Sequence, residues 1–410
     1  MTYQDILELD RNDPLAEKRL EFALADNIIY LDGNSLGAMP RVASERSNEL
    51  TQQWGKDLVR SWNTHEWIDL PTTVGEKIAP LLGAAAGQVI CCDSTSVNLF
   101  KVLCSALAMQ KKRQIVLSQK DNFPADLYMV QGLSQLSPGN LCELINCEDS
   151  DIEAHLDETV AVLMLTHVNY RSGKLHDMQR LTALAHEKGI LVIWDLAHST
   201  GAVPLELDEW GVDFAVGCGY KYLNGGPGAP AFIYAAQRHH DAIRQPLSGW
   251  MGHAAPFSFS ENYQAAPGVK QFLCGTPPIL SMSVLDAALS VFADVDMQDL
   301  HAKSIALSEL FLQLTESNKD LGDLILVSPR DNRQRGSQLA FTHPKAFSIS
   351  QALIGRSVIA DFRAPDVSRF GFAPLYLRYQ DILNGVRVLS EVMVSKSYHD
   401  VKYERTTKVT

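Results

Sequence analysis

Lys221 is the residue in this sequence whose position most needs a chemical explanation. It follows the apolar run DFAVGCGY and precedes the glycine-rich turn NGGPG. A lysine at the end of a buried strand is costly unless it is paired or chemically occupied. An amine in such a place is suited to Schiff-base chemistry with a carbonyl compound. The alternative is that Lys221 simply extends from the strand end into solvent.

Polar side chains follow three apolar runs that we expect to be buried parallel strands. They are Thr166 after TVAVLML, Asp195 and His198 after ILVIW, and Tyr220 and Lys221 after DFAVGCG. Because ligands bind beyond the carboxyl ends of strands in open α/β sheets, we expect these groups to line one crevice. Taken alone, Asp195 could equally be a helix N-cap, and His198 could be a hydrogen-bonded core residue.

A second group of polar residues precedes the helix-like run VNLFKVLCSAL. Thr95 and Ser96 there are expected at a helix N-terminus, where free N–H groups, hydroxyls and the helix dipole bind phosphate. A plain Ser/Thr cap is the simpler interpretation. Further along, Phe123 precedes a turn and Asp126 enters a helix. The Phe123 ring could stack on a flat cofactor or could belong to the core.

An amine, a carboxylate, an aromatic ring and an anion site together meet the requirements of pyridoxal 5′-phosphate (PLP). Lys221, Asp195 and Phe123 supply the first three, and Thr95 with Ser96 supplies the fourth. The carboxylate matters most for mechanism, because it keeps the pyridine nitrogen protonated so that the ring can accept electrons from the substrate Cα. We therefore predict PLP as the cofactor.

The elements that must position these groups indicate an α/β fold. From about residue 90, short apolar runs alternate with helix-like stretches such as DIEAHLDE, as in a mostly parallel sheet. After about residue 290, a long helical stretch is followed by shorter segments that begin with LGDLILVS. We predict a large PLP-dependent transferase-like domain over residues 51–290 and a smaller C-terminal α+β domain over residues 291–410. Residues 1–50 are predicted to form an N-terminal segment that contributes to the small domain and to the active-site rim.

The composition limits the classes of protein to which the chain can belong. With 410 residues, 46% of them hydrophobic, and a formal net charge of −12, we expect a globular protein without a nucleic-acid partner. No apolar run approaches the roughly 18 residues that cross a membrane, and the start lacks a signal-peptide pattern. Seven scattered cysteines predict a reduced, cytoplasmic protein. The histidines show no metal-ligand spacing, so we expect no metal site.

Eight motifs spread over most of the chain resemble the kynureninase family of fold-type I PLP enzymes. They are LDGNSLG (31–37), STSVNLF (94–100), NFPAD (122–126), WDLAHSTGAVPLEL (194–207), GYKYLNGGPGAPAF (219–232), SGWMGH (248–253), GTPPILSM (275–282) and RFGFAPLYL (369–377). The resemblance implies hydrolysis of L-kynurenine, or 3-hydroxykynurenine, to L-alanine and anthranilate or 3-hydroxyanthranilate. It also implies a homodimer whose active site lies between the subunits. The preference between the two substrates stays open.

The resemblance further implies roles for residues at the cofactor. It implies that Lys221 forms the imine with PLP and then transfers protons, that Asp195 pairs with the pyridine nitrogen, and that Tyr220 is the general acid/base at the γ-carbonyl and Cβ. The other implied contacts are Thr95 and Ser96 at the phosphate, Phe123 on the ring face, Asp126 and Thr166 at the ring hydroxyl, His198 nearby, and Tyr220, Trp250 and Thr276 at the phosphate region, the last two from the partner subunit.

For the substrate, the resemblance implies that Arg369 binds the α-carboxylate, a bidentate task suited to a guanidinium. It also implies that Asn34, Ser35 and Trp62 border the aromatic ring of the substrate.

Three alternatives compete with this interpretation. A cysteine desulfurase or selenocysteine lyase needs a nucleophilic cysteine late in the chain, but the last cysteine is Cys274. An aminotransferase matches the motifs less closely. A catalytically inactive PLP-binding regulatory protein is disfavoured because Lys221, Asp195 and Arg369 are all present and no DNA-binding segment is visible.

Overall fold

The computed structural model describes residues 3–110, 112–136 and 141–404. The described residues exclude four short stretches: 1–2, 111, 137–140 and 405–410. The first belongs to the predicted N-terminal segment, the next two to the predicted large domain and the last to the predicted small domain. The described helices are α1 (Tyr3–Arg11), α2 (Arg41–Asp57), α3 (Ser61–Thr64), α4 (Leu70–Ile78), α5 (Thr95–Met109), α6 (Pro124–Ser134), α7 (Met178–Glu187), α8 (Ile279–Ala288), α9 (Met297–Glu316), α10 (Ala346–Ile354) and α11 (Tyr379–Ser395). The described strands are β1 (Ile29–Tyr30), β2 (Val89–Cys91), β3 (Ile115–Gln119), β4 (Glu143–Cys147), β5 (Val160–Thr166), β6 (Leu191–Asp195), β7 (Phe214–Cys218), β8 (Ala231–Ala235), β9 (Ile325–Leu326), β10 (Gln338–Thr342), β11 (Val358–Ile359), β12 (Asp361–Arg363) and β13 (Val367–Gly371).

A seven-stranded sheet with the order β2-β8-β7-β6-β5-β3-β4 forms the centre of the fold. The strands from β7 to β4 run parallel, and β8 runs antiparallel to both of its neighbours. Successive residues of β6 face opposite sides of the sheet, since Val192 and Trp194 belong to one hydrophobic cluster and Ile193 to another. The core therefore lies on both faces, which explains the continuous apolar runs.

A second, antiparallel sheet with the order β12-β13-β10-β9 lies in the C-terminal part of the chain. Phe311 of α9 packs on this sheet, with ring centroids 4.8 Å from Phe370 and 6.0 Å from Phe341. The parallel sheet and this α+β layer together confirm the predicted fold class. The predicted domain boundaries stay predictions.

The N-terminal segment joins the C-terminal layer and then reaches the large sheet. Strand β1 pairs in parallel with β11. The loop that follows lets the N–H of Gly37 donate a hydrogen bond of 2.8 Å to the carbonyl of Tyr220. A Cβ at Gly37 would lie 2.2 Å from the carbonyl oxygen of Lys221, so a residue with a side chain cannot make this approach. The loop therefore packs directly against the main chain of Lys221.

Two segments differ from what their sequence pattern predicts. DIEAHLDE, predicted as a helix, forms two short 3-10 turns, Asp149–Asp151 and Glu153–His155, so that prediction was wrong. Only Ile152 and Leu156 of this segment are buried, and so short a helix gains too little from packing to offset its nucleation cost. LGDLILVS contributes only the two-residue strand β9.

Two kinds of feature are absent from the part of the chain that the structure describes. No helix there is long and apolar enough to span a bilayer. No group of three or more His, Cys, Asp or Glu side chains there is arranged to hold a metal ion.

Candidate active site

A cavity of about 170 Å³ lies beyond the carboxyl ends of β5, β6 and β7, against the N-termini of α5 and α6. Nine of the residues singled out in the sequence line it: Thr95, Ser96, Phe123, Asp126, Thr166, Asp195, His198, Tyr220 and Lys221. Strand register explains this gathering, because Thr166 lies opposite Asp195 and Asp195 lies opposite Val216 in the parallel sheet. The strand ends are therefore level, and the loops that follow them meet.

The partner of the Lys221 amine is an imidazole rather than a carboxylate. Nζ of Lys221 lies 3.0 Å from Nε2 of His198. Burial, together with the nearby Lys221 charge, holds the pKa of His198 well below its usual value. The neutral ring can accept a hydrogen bond from the amine, and it adds no negative charge beside it.

Two buried carboxyl groups, Asp195 and Asp126, face the cavity together. Oδ1 of Asp195 accepts a 2.7 Å hydrogen bond from the N–H of Ala197 in a turn. No helix begins there, so Asp195 lines the cavity without acting as a helix N-cap. Burial raises the pKa of both carboxyls, and the neighbouring Asp195 raises that of Asp126 further. The hydroxyl of Thr166 donates a hydrogen bond to Asp126 over 3.3 Å. The charge of Lys221 acts against the increase in the pKa of Asp195. A cationic group beside Asp195 would therefore be strongly stabilised.

The N-terminus of α5 forms one wall of the cavity. Ser94 is the N-cap, and its side chain accepts a hydrogen bond from the N–H of Val97 at 3.5 Å. The capping role thus belongs to Ser94, while Thr95 and Ser96 line the cavity in the first turn of the helix. Hydroxyls and free N–H groups at the positive end of a fifteen-residue helix are suited to a phosphate.

Aromatic side chains form a further part of the wall. Phe123 is 40% exposed, and its ring makes an edge contact with Tyr170, with centroids 5.3 Å apart. Tyr220 also lines the cavity, and the centroid of its ring lies 5.9 Å from Nζ of Lys221. Burial raises the pKa of Tyr220, so this phenol keeps its proton near neutral pH.

The residues around this cavity fit PLP. The phosphate matches the α5 N-terminus, the aldehyde matches the Lys221 amine, and the ring face matches Phe123. The adjacent carboxyls of Asp195 and Asp126 supply the strongest test, since two buried acids favour a nearby cation. A protonated pyridine nitrogen is such a cation.

Two predicted cofactor contacts, Trp250 and Thr276, do not line this cavity. Trp250 is 39% exposed and borders a separate surface cleft with His253 and Tyr263. Thr276 is exposed on the loop that precedes α8. Both side chains are accessible to a second molecule, as the prediction that they act across a subunit interface requires.

The predicted substrate-carboxylate residue, Arg369, is 1% exposed and lies in β13 beside the cavity rather than in its wall. Its Nε donates to Oδ1 of Asp361 over 2.7 Å, and its Nη2 donates to the other oxygen of that carboxylate. Ser35, another predicted substrate residue, accepts from Nη2 of Arg369 at 3.0 Å. The charge of Arg369 reaches the cavity, because it helps to lower the pKa of His198.

The remaining two predicted substrate residues, Asn34 and Trp62, also lie outside the cavity wall. Asn34 is fully buried, and its Nδ2 donates to Gln338 over 3.3 Å. Trp62 is half-buried and makes an edge contact with Trp67, with centroids 6.1 Å apart. Neither side chain is brought to Lys221 within one chain.

Sequence reasoning missed Tyr170 and Asp361. Tyr170 lines the cavity and follows β5, so the rule that polar residues gather after parallel strands could have found it. Asp361 lies directly opposite Arg369 in an antiparallel pair. The segment DFRAPDVSR has a central proline between two strand-like ends, and hairpin symmetry about that turn places Asp361 against Arg369.

Solved structures that resemble this fold include PLP enzymes. A cysteine desulfurase of Thermococcus onnurineus NA1 has a TM-score of 0.78, covers 92% of this chain and 98% of its own, and is 18% identical. A C-DES mutant with glycine covalently linked to its PLP cofactor has a TM-score of 0.78, covers 90% and 98%, and is 16% identical. At such identities the likeness shows the fold alone. Fold and cavity together define a fold-type I PLP-dependent enzyme.

Sequence comparison gives the family. A kynureninase of Burkholderia pseudomallei (strain 1106a) is 47% identical and one of Pseudomonas fluorescens is 45% identical, each over 100% of both chains. The family model for the kynureninase C-terminal domain matches residues 300–389, and that for DegT/DnrJ/EryC1/StrS aminotransferases matches residues 139–206. The chain belongs to the kynureninase family. This membership confirms the predicted family, its carbon–carbon hydrolase activity and the PLP cofactor.

Proposed function

We propose that this protein cleaves the Cβ–Cγ bond of L-kynurenine with water, releasing anthranilate and L-alanine, and that 3-hydroxykynurenine is the alternative substrate. The observation that carries the proposal is the position of the Lys221 amine. It lies in one cavity with the buried acid Asp195 and the N-terminus of α5. The full-length similarity to kynureninases supplies the reaction that this arrangement serves.

Lys221, Asp195 and Tyr220 divide the proton handling between them. When bound, PLP supplies an electron sink for the pair left at the substrate Cα. Asp195 holds the proton on the pyridine nitrogen, and Lys221 moves the proton at Cα. Tyr220 carries its proton near neutral pH, so it can donate it to the γ-carbonyl oxygen and recover one from the attacking water. It can then donate a proton to Cβ and recover one from the hydrated carbonyl. His198 supports Lys221 by accepting from its amine.

The other predicted residues bind and orient. Thr95 and Ser96 hold the phosphate, Phe123 packs on the ring face, and Asp126 and Thr166 contact the ring hydroxyl. Arg369 binds the α-carboxylate, and Asn34, Ser35 and Trp62 border the aromatic ring of the substrate. The geometry that supports these roles is the shared cavity for the first group and the buried position of Arg369 beside it.

We further propose that the protein works as a cytoplasmic homodimer in which Trp250 and Thr276 complete the phosphate region of the partner's site. Their exposure in a single chain supports this arrangement. Closed twofold symmetry would make both sites equivalent.

A desulfurase reaction is the alternative suggested by the solved structures of similar fold, but the positions of the cysteines disfavour it. Cys274 is half-buried and absent from the residues that line the cavity. Cys218 lines the cavity, but burial raises the pKa of its thiol, and the thiol donates to the carbonyl of Ala197 at 3.8 Å. A buried thiol with a raised pKa is a poor nucleophile.

Substitution of Lys221 tests the proposed function. We expect Lys221→Ala to bind PLP without the absorbance band of the lysine-linked cofactor and to lose anthranilate release, followed by fluorescence. The exposed control Lys402→Ala should keep both properties. Sulfide release from L-cysteine, with no anthranilate from kynurenine, would overturn the proposal in favour of a desulfurase.

A further inference from the structure

Arg369 belongs to a buried cluster of charges whose arrangement points beyond a simple arginine–carboxylate contact. The Arg369 cluster consists of Ser35, Asp361, Arg363, Arg369 and the carbonyl of Tyr170. Asp361 and Arg369 are each 1% exposed. A buried ion pair is costly to form, so its geometry must be closely fixed if it is to be stable.

The backbone itself sets the pairing of Asp361 with Arg369. The two residues are directly opposite in the antiparallel pair of β12 and β13. The carboxylate of Asp361 accepts from Nε of Arg369 at 2.7 Å and from Nη2 of the same guanidinium. This bidentate contact occupies the side edge of the guanidinium and fixes its plane.

The end edge of the Arg369 guanidinium, formed by Nη1 and Nη2, has weaker partners. Nη1 donates to the carbonyl of Tyr170, a residue whose side chain lines the cavity, and Nη2 donates to the hydroxyl of Ser35 at 3.0 Å. Both partners are neutral acceptors. The Ser35 hydroxyl also donates to Oδ2 of Asp361 at 2.5 Å, so an incoming carboxylate must displace it from both partners. A carboxylate binds a guanidinium more strongly than a neutral hydroxyl does, which favours this exchange at the end edge of Arg369.

The cluster also keeps a positive charge after the internal ion pair has formed. Arg363 contacts the same carboxylate, with its Nη2 2.9 Å from Oδ2 of Asp361. Two guanidinium groups therefore share the Asp361 carboxylate. The other acid nearby, Asp32, offsets their charge only in part at neutral pH, because burial raises its pKa to about 7. Both arginine charges lower the pKa of His198, which places their field at the Lys221 end of the cavity. The surplus charge favours an anion there.

We propose that Asp361 is a positioning residue that holds Arg369 with its end edge free for the substrate α-carboxylate, which exchanges with the hydroxyl of Ser35. This inference rests on the proposed function for the identity of the substrate and for the role of Arg369 in binding its α-carboxylate. It applies to the carboxylate of any amino acid that enters the cavity.

Asp361→Asn in the PLP-loaded enzyme tests the proposal. An amide cannot accept both N–H groups of Arg369, so the guanidinium can rotate. We expect KM for kynurenine to rise about tenfold or more with a smaller change in kcat, and the affinity for PLP to stay within about twofold. Asp361→Glu, which keeps the charge, should recover part of the loss. Glu309→Gln is the matched control, because Glu309 contacts the buried Arg335 in the same layer.

Binding of L-alanine and of L-alaninamide, followed by cofactor absorbance, distinguishes a loss of Arg369 positioning from a general disruption of the site. Only L-alanine carries the α-carboxylate. Wild type should prefer L-alanine, and Asp361→Asn should lose that preference. Equal weakening of both ligands would overturn the proposal, as would an unchanged preference with unchanged KM. These titrations need no turnover, so absence of kynurenine cleavage would count against the proposed function and not against this inference.

Ser35→Ala provides the second test, because it keeps both charges of the Asp361–Arg369 pair, although it removes the hydrogen bond that Ser35 donates to Asp361. It does not depend on the folding of Asp361→Asn. The substitution removes the hydroxyl that competes for the end edge of Arg369. We expect the Kd of L-alanine to fall or to stay within about twofold. A tenfold rise would overturn the exchange of Ser35 with the carboxylate.

Discussion

The choice of a histidine as the partner of Lys221 has a consequence for reactivity. His198, which lies 3.0 Å from the Lys221 amine, is buried and neutral, so it places no negative charge beside that amine, as a carboxylate would. In the proposed mechanism, Asp195 at the end of the adjacent strand β6 holds the proton on the pyridine nitrogen of the cofactor. Lys221 and Asp195 thus reach the same cavity from neighbouring strand ends, as the proposed division of proton transfers requires.

Asp32, in the loop behind the Arg369 cluster, should make stability depend on pH. Burial raises its pKa to about 7, and the charge of Asp361 adds to the rise. The folded state therefore favours protonated Asp32, and this stabilisation is lost as pH rises from about 4 through 7. Relative to Asp32→Asn, wild type should lose up to about 1.4 kcal/mol of unfolding free energy per pH unit in that window.

Urea denaturation of both proteins at pH 5 and pH 7 measures the effect of Asp32. The exposed Asp299→Asn on α9 is the control and should show no such trend. A constant difference between wild type and Asp32→Asn at the two pH values would contradict the assignment of this titration to Asp32.

At the scale of elements, a buried lysine connects α5 to the loop that carries Thr276. Lys101 is fully buried, and its Nζ lies 2.5 Å from Oδ2 of Asp93 and also donates to the carbonyl of Phe272. Asp93 has a φ of 48°, so the turn that leads into Ser94 is held in a left-handed conformation. Lys101 therefore fixes the turn from which the phosphate site is built.

Lys101→Met should weaken PLP binding as well as stability. Without the amine, the left-handed Asp93 turn loses its ion pair, and we expect the Kd for PLP to rise about tenfold. Lys303→Met is a matched control, since Lys303 is a buried lysine 2.6 Å from Asp13 and distant from the phosphate wall. Equilibrium dialysis of PLP compares the two. Equal PLP affinity in both variants would contradict a positioning role for Lys101.

The elements show how far the sequence could predict the structure. The apolar runs that gave β5, β6 and β7 are buried on both faces, so their composition alone identifies them, and the polar residues after them line the cavity as expected. The pairing of Arg369 was not predicted, because it depends on the register of a hairpin rather than on a run of similar residues. The helix predicted over DIEAHLDE failed because it has almost nothing to pack against.

At the scale of the whole molecule, the proposed dimer makes a complementation prediction. Lys221→Ala and Trp250→Ala should each be inactive as homodimers, because each lacks one part of both sites. In a mixed dimer, one site has Lys221 from one chain and Trp250 from the other, and is therefore intact. Random pairing should restore about one quarter of the wild-type activity.

Co-refolding of the two variants in equal amounts, followed by the anthranilate assay, measures this complementation. A tag on one variant confirms that mixed dimers have formed. Activity no higher than that of either variant, in a sample that contains mixed dimers, would show that Trp250 acts within its own chain.

The approach of Gly37 to the main chain of Lys221 also bears on the order in which a working enzyme can be made. The loop that carries Gly37 is anchored by β1, whose partner β11 lies more than three hundred residues later. On the ribosome, the lysine emerges well before that partner does. The main-chain wall beside the reactive amine can form only after nearly the entire chain has been translated, so we expect the site to be completed late in synthesis.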